Sequence, residues 1–309
     1  MRLGGQRESS NVEDRRGDSG GFGGGGYRQA GMGRGIPLRG GSLVTIAVLI
    51  GIGYFVFGIN PLQMLAMLTG GDSYTQSENY QPSSPTNPSQ TSTNGGASDA
   101  GKTFVAKVLG STEDVWTDIF AASNRSYKPT PLVLFSGRIG SACGQASAAS
   151  GPFYCPNDGK VYIDLAFYDE LKNRFGAPGD FAQAYVIAHE VGHHVQDLIG
   201  VLPEFNRQRQ TASRSEANEM SVRVELQADC FAGIWANKTD QKGMLEAGDI
   251  DEALNAATQI GDDTIQKRSQ GYVVPDSFTH GTSAQRSAWF KRGYQSGDMK
   301  ACDTFSGNI

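Results

Sequence analysis

The chain has 309 residues, with four histidines, four cysteines and a formal net charge of −5. This acidic balance does not favour nucleic acid as a partner, because a surface that binds phosphates needs an excess of Lys and Arg. Glycine is frequent (41 residues) and unevenly spread, which indicates that the chain divides into segments of different character.

Residues 1–41 are rich in glycine and arginine and poor in aliphatic side chains. A segment of this composition cannot bury enough apolar surface to offset the entropy that folding costs. It contains seven arginines against four acidic residues. We therefore predict a disordered, positively charged tail.

Residues 42–60 form an apolar segment, SLVTIAVLIGIGYFVFGIN, without a charged residue. Its length is close to the ~20 residues that cross a bilayer as a helix. Arginines precede the segment, whereas no Lys or Arg follows it until Lys102. Because basic flanks stay in the cytoplasm, we predict a single-pass signal anchor in the inner membrane, with the N-terminus cytoplasmic and the remainder periplasmic or otherwise extracytoplasmic. A buried core helix is the alternative, but such a helix normally carries a polar stripe.

Residues 61–101 are dominated by Ser, Thr, Asn, Pro and Gly, a composition typical of a flexible linker. The folded domain is predicted over residues 102–309, where apolar and aromatic residues are dense enough to form a core. Its start, 102–123, favours two helical pieces, with Ser111 as the cap of the second. Strands are predicted at Pro131–Gly137 and Lys160–Leu165, the latter forming a hairpin with the preceding GPFYC.

A short helix is predicted at Phe167–Phe175 and two long helices follow, so the fold class is α+β, mostly helical with a small early sheet. The first long helix is predicted at Asp180–Ile199, with Asp180 and Gln183 at capping-box spacing and Gly200 as its stop. The second is predicted at Ser213–Ala236, again beginning with a capping-box pattern.

The first long helix contains the motif HEVGH. His189 and His193 are four residues apart and therefore lie on one face of the helix, where both can bind one zinc ion. Glu190 flanks the same face and can act as general base on a metal-activated water. His194 lies about 140° around the helix from His189, which favours a packing role.

The third zinc ligand has to come from elsewhere. Gln196 and Ile199 stand where the metzincin extension has Gly and His, so that class is excluded. The second long helix offers Glu225 as a ligand, and Asp229, four residues later, can accept the free ring N–H of a ligand histidine. A solvated acidic face is the alternative, but apolar neighbours indicate that this helix is buried.

The fourth histidine, His280, could stabilise the oxyanion that forms on a scissile carbonyl. Arg286, six residues later, could hold the acidic cluster together or contact substrate. A hydrogen-bonded loop histidine and a surface arginine are the alternatives that spacing alone leaves open.

Three motifs of the domain, HEVGHH (189–194), ELQADCFAG (225–233) and FTHGTSAQR (278–286), resemble the bacterial family called putative neutral zinc metallopeptidases. The N-terminal stretch RESSNVEDRRG also resembles this family, so the resemblance covers nearly the whole chain. The motifs are similar, too, to those of membrane-associated gluzincin peptidases, which pair HExxH with a later ExxxD. Gly281 departs from that wider group, which often has proline at this position.

The resemblance implies a zincin-like fold, a zinc cofactor and the hydrolysis of peptide bonds. It implies a role in the site for seven residues, namely His189, His193 and Glu225 as ligands, Glu190 as base, and Asp229, His280 and Arg286 as supports.

The four cysteines can pair in three ways if the domain is exported to an oxidising compartment. We favour Cys143 with Cys155, which closes a short loop, and Cys230 with Cys302. Four free thiols are the alternative if the domain is not exported.

Together these features predict a membrane-anchored zinc metallopeptidase that acts on a peptide or protein substrate. The substrate is expected along the sheet edge formed by the regions of Pro131 and Tyr162. A non-catalytic zinc-binding scaffold of the cell envelope and a structural membrane protein without metal are the alternatives.

Overall fold

The computed structural model describes residues 1–18, 95–147 and 151–309, which pack together in one folded unit. The predicted transmembrane segment 42–60 lies outside the described residues. Among the helices of the described ranges, none is long and apolar enough to cross a bilayer.

The described residues form a mostly helical α+β fold with a small sheet, as predicted. The helices and strands follow in chain order: β1 (Val12–Asp14), α1 (Gly95–Ala122), β2 (Leu132–Phe135), β3 (Arg138–Ser141), β4 (Gly144–Ser147), β5 (Phe153–Cys155), β6 (Lys160–Asp164), α2 (Ala166–Asn173), α3 (Asp180–Ile199), α4 (Val201–Gln208), α5 (Arg214–Gln241), α6 (Asp249–Gln259), α7 (Asp262–Gln270), a 3₁₀ turn (Pro275–Ser277), α8 (Ser283–Ser296) and a second 3₁₀ turn (Met299–Cys302).

The main sheet has the strand order β1-β2-β6-β5. β2 pairs in parallel with both β1 and β6, whereas β5 and β6 form an antiparallel hairpin. Every residue of β2 is buried, which suits a short apolar run at the centre of a sheet. The two predicted strands and the hairpin are therefore confirmed, and β3 and β4 form a separate ribbon.

Two local predictions about helix α1 are wrong. The helix is continuous from Gly95 to Ala122, so residues 95–101 are helical and do not belong to a flexible linker. Ser111 lies inside this helix and does not begin a new one. Its hydroxyl donates to the carbonyl of Val108, one turn earlier, instead of capping a helix start.

The two long helices match their predicted positions closely. Helix α3 spans Asp180–Ile199 and ends at Gly200 in the left-handed conformation, as predicted. The predicted capping box at its start is wrong, because Gly179 is the cap residue and no side-chain cap bond forms. Ser213 does form a capping box with Glu216, but helix α5 continues to Gln241 instead of ending at Ala236.

The prediction of a disordered tail is wrong for residues 1–18. Strand β1 adds an edge to the sheet, and the buried carboxylate of Glu113 accepts hydrogen bonds from Arg7, Ser9 and Asn11. The amino group of Met1 binds the carboxylate of Asp180 at 2.8 Å. These anchors lie far away in sequence, so the composition of the tail alone does not reveal them.

Three glycines allow the central helices to approach closely. A Cβ atom at Gly192 of α3 would lie 3.0 Å from the carbonyl oxygen of Ala228 in α5. A Cβ atom at Gly293 of α8 would lie 1.9 Å from the carbonyl oxygen of Cys230, and one at Gly233 would lie 2.1 Å from that of Phe290. Helices α3 and α8 therefore both pack against the same stretch of α5.

We expect Gly293→Ala to lower the free energy of unfolding by about 1–3 kcal/mol, because the new methyl group would overlap the backbone of α5. This cost outweighs the ~1 kcal/mol that alanine gains over glycine in a helix. Chemical denaturation would measure the change. Gln295→Ala, an exposed position of the same helix, serves as the control and should change stability little; a Gly293→Ala protein as stable as this control would contradict the packing.

Candidate metal centre

Helices α3 and α5 bring three of the predicted ligands together. One ligand atom each of His189, His193 and Glu225 lies within 4.8 Å of the other two. Nε2 of His189 lies 3.1 Å from Oε2 of Glu225, and Nε2 of His193 lies 3.5 Å from Oε1. Two imidazole nitrogens and a carboxylate therefore converge on one point, and these are residue types that also occur together as zinc ligands in proteins.

Asp229 fixes the orientation of His189. Its Oδ1 atom accepts a hydrogen bond from Nδ1 of His189 at 2.8 Å, which turns Nε2 toward Glu225 and the position that a metal would take. Arg286 in turn binds both oxygens of Asp229, at 2.8 and 3.0 Å, and the hydroxyl of Tyr185 donates to Oδ1 at 2.5 Å. Asp229 is fully buried and Arg286 is 3% exposed, so this cluster is shielded from solvent.

His193 is held by a neutral partner. Its Nδ1 atom lies 2.8 Å from Oε1 of Gln196, one helical turn further along α3. An amide oxygen only accepts, so Nδ1 carries the proton and Nε2 is free to bind a metal. Both histidines therefore present Nε2 to the same point.

Burial and charge shift the pKa values of this cluster in opposite directions. Burial alone would lower the pKa of His189, but the carboxylates of Asp229 and Glu225 raise it to about 10. Burial would raise the pKa of Asp229, but Arg286 and His189 lower it to about 2. The neighbouring histidines likewise keep the pKa of Glu225 well below its usual value against the effect of burial. The two carboxylates are thus ionised, as metal binding requires.

Glu190 behaves differently from the two other carboxylates. It is buried, and this burial raises its pKa above the usual value for glutamate. A raised pKa makes a carboxylate a better proton acceptor near neutral pH.

Glu190 and the three ligands line a cleft of about 590 Å³. The volume is in the range of ordinary ligand sites. Aromatic and aliphatic side chains form much of its remaining wall, namely Phe153, Phe167, Phe175, Leu202 and Phe205.

Strand β5 lies at this cleft, and its position corrects the expected substrate edge. The regions of Pro131 and Tyr162 belong to the two inner strands β2 and β6, whose hydrogen-bonding edges are already paired. Among the strands of the described residues, the edge on the cleft side is β5, with Phe153 and Tyr154 among the residues that line the cleft.

The other predicted site residues separate into two groups. Arg286 lies inside the cluster described above and is no surface arginine. His280 lines the cleft with a half-exposed side chain, and its Nδ1 atom is 3.1 Å from Oδ1 of Asp262. His194 is buried away from the three ligands, with Nε2 donating to the carbonyl of Lys128 at 2.6 Å.

Both predicted disulfides are present. Cys143 bonds to Cys155 at the end of β5, next to the turn of the β5–β6 hairpin, and Cys230 bonds to Cys302. The second bond ties helix α5, close to Asp229, to the C-terminal 3₁₀ turn.

Comparison with known proteins assigns the chain to a family. The family described as "Putative neutral zinc metallopeptidase" matches residues 1–305. The chain belongs to this family. The match includes the N-terminal residues, in keeping with the packing of residues 1–18 on the domain.

Curated relatives are similar in sequence to this chain, and their names state no activity. "Uncharacterized protein YpfJ" of Escherichia coli (strain K12) is 47% identical over 311 residues, which cover all of both chains. "Uncharacterized protein Rv2575" of Mycobacterium tuberculosis (strain H37Rv) is 44% identical over 207 residues, covering 63% of this chain and 68% of the relative. No solved structure matches.

Sequence reasoning missed three polar residues that support the ligands: Tyr185, Gln196 and Gln227. Tyr185 and Gln196 lie on the histidine face of α3, four residues before His189 and three after His193, and this spacing was a usable signal. Gln227 carries no such signal, because its contact with Gln196 depends on how two helices cross.

We expect Asp229→Leu to lower the free energy of unfolding of the zinc-free protein by about 3–5 kcal/mol, because it leaves the buried guanidinium of Arg286 without a carboxylate. The double variant Asp229→Leu/Arg286→Met removes both charges and should recover part of this loss. Denaturant titrations of the three proteins measure the difference. Equal losses for the single and the double variant would show that the buried pair is not the cause.

Proposed function

We propose that this protein is a zinc-dependent metallopeptidase that hydrolyses peptide bonds. The observation that carries the proposal is the convergence of His189, His193 and Glu225 within 4.8 Å, beside the buried Glu190 in one cleft. Two imidazoles and one carboxylate leave a fourth position open to water or substrate, unlike structural zinc sites, which have four protein ligands. The proton that the surrounding carboxylates hold on His189 has to be displaced for zinc to bind. Zinc, when bound there, supplies a Lewis acid that lowers the pKa of water and polarises a carbonyl.

The protein's own groups provide the proton transfers. Glu190 accepts a proton from the attacking water, for which its raised pKa suits it, and delivers that proton to the leaving amine. His280 faces the same cleft with Nδ1 engaged by Asp262, which leaves Nε2 to donate a hydrogen bond to the developing oxyanion. The carboxylate of Asp262 also favours the protonated form of His280, whose pKa is raised although burial opposes it.

The cleft suits an extended peptide. The free edge of β5 offers backbone groups for a substrate strand, as in other proteins that bind peptides by adding a strand. The apolar wall that includes Phe167 and Phe205 can receive a large hydrophobic side chain.

We propose that the domain works in an extracytoplasmic compartment and that segment 42–60 attaches it to the membrane from that same side, because a single crossing would place residues 1–18 and 95–309 on opposite sides. Two disulfides support an oxidising compartment. Because residues 1–18 are part of the same folded unit as residues 95–309, they belong on the same side as the domain. A cytoplasmic N-terminus would require these residues to leave the sheet.

We expect Glu190→Gln to reduce peptide hydrolysis by about 10²–10⁴-fold, because the amide cannot accept the proton. A mixture of fluorogenic peptides, with zinc content measured on each protein, tests this. Glu170→Gln, which removes another carboxylate of the same cleft, is the matched control and should retain activity. Unchanged hydrolysis by a zinc-loaded Glu190→Gln protein would overturn the mechanism.

The shared compartment is tested by labelling from outside. Single cysteines at two exposed positions, Ser10→Cys and Asn308→Cys, should both react with a membrane-impermeant maleimide in intact spheroplasts, because both ends belong to one unit. Labelling after lysis serves as the control for reactivity. Protection of Ser10→Cys together with labelling of Asn308→Cys would place the two ends on opposite sides.

A further inference from the structure

Two buried glutamines connect the metal centre to a disulfide. Gln196 is 0% exposed and Gln227 is 7% exposed, and together they link His193 to the backbone of Cys302. We propose that Gln196 and Gln227 are positioning residues that hold His193 in its metal-binding tautomer, and that this hold depends on the Cys230–Cys302 disulfide. The inference rests on the zinc site proposed above.

The orientation of Gln227 is set by the C-terminal turn. Its Nε2 atom donates to the carbonyl oxygen of Cys302 at 3.0 Å. Because a carbonyl oxygen cannot donate, the amide of Gln227 must direct its nitrogen toward Cys302. Its oxygen then accepts from Nε2 of Gln196, also at 3.0 Å.

The orientation of Gln196 follows from two acceptors. Its Nε2 atom donates to Oε1 of Gln227 and to the carbonyl oxygen of Val224, at 2.8 Å from the latter. Its oxygen therefore faces Nδ1 of His193 at 2.8 Å, so that this nitrogen must carry the proton. Nε2 of His193, 3.5 Å from Oε1 of Glu225, is then the nitrogen that can bind a metal.

The chain of amides adds to the effect of the Val224 carbonyl, and it matters because a side-chain amide can rotate by 180° with almost no change in shape. A flipped Gln196 would present its NH₂ group to His193 and require Nδ1 to accept, which places the proton on Nε2. A protonated Nε2 cannot bind zinc. The partner of His189 cannot be reversed in this way. Asp229 is ionised, so both of its oxygens can only accept, and Nδ1 of His189 must donate.

The Cys230–Cys302 disulfide holds the last acceptor of the chain in place. Cys302 is bonded to helix α5, the helix that also carries Gln227 and Glu225. Arg223 and Thr304 add hydrogen bonds between α5 and the C-terminal segment. Loss of the disulfide should therefore loosen the carbonyl of Cys302 and weaken, without abolishing, the hold on His193.

The test measures zinc affinity by competition with a chromophoric chelator, using the full chain. Gln196→Leu should weaken zinc binding by about 10–100-fold, the usual effect of losing the partner of a ligand histidine. Gln227→Met and the double variant Cys230→Ala/Cys302→Ala should each weaken binding by a smaller factor. In the Gln227→Met background, removal of the disulfide should cost no further affinity, because both changes act through one chain.

Two further measurements separate positioning from general stability. The matched control is Cys143→Ala/Cys155→Ala, which removes the other disulfide and should leave zinc affinity unchanged. In the zinc-free protein, the ¹⁵N shifts of neutral His193 should show its proton on Nδ1. In Gln227→Met, a fraction of the molecules should instead carry the His193 proton on Nε2. Additive losses, or full zinc affinity in Gln227→Met, would overturn the proposal while leaving the metal site intact. A wild-type chain that binds no zinc would instead refute the proposed function.

Discussion

The metal centre depends on the close crossing of helices α3 and α5 at Gly192. The absence of a side chain there lets the backbone of Ala228 approach to a distance at which a Cβ atom would already be in tight contact. Gly192 precedes His193, and Ala228 precedes Asp229, so the crossing lies inside the ligand set. A larger residue at this contact would increase the distance between the helices and separate the carboxylates of α5 from the histidines of α3.

A second crossing, between α5 and α8, completes the charge balance of the site. The contact at Gly293 brings Arg286 of α8 to Asp229, a buried carboxylate that would otherwise have no permanently charged partner. Burying a charge without a partner is costly, whereas a pair with two hydrogen bonds offsets much of that cost. The close packing at Gly293 and the ionised state of Asp229 therefore both follow from the way α8 crosses α5.

The sequence predicts what is local and misses what depends on distant contacts. Helix α3 was predicted to the residue because its apolar run and Gly200 lie within one stretch of the chain, and Glu225 followed from its spacing to Asp229. The packing of residues 1–18 was missed because the buried carboxylate of Glu113, which holds them, is about a hundred residues away. Gln227 was missed for the same reason, since only the fold places it between Gln196 and Cys302.

His189 and His193, the two predicted ligand histidines, are held by different kinds of partner, one charged and one neutral. The two histidines should therefore lose their orientation under different conditions. Asp229 holds His189 by charge, which Arg286 secures from inside the core. Gln196 holds His193 by the direction of a neutral amide, and this direction is set by carbonyl groups of α5 and of the C-terminal turn. The proton of His189 that faces Asp229 is thus held by an ionised neighbour, whereas the orientation of His193 depends partly on the C-terminal turn. The proposed coupling therefore joins the candidate metal site to a disulfide whose cysteines are not among the residues that line the cleft.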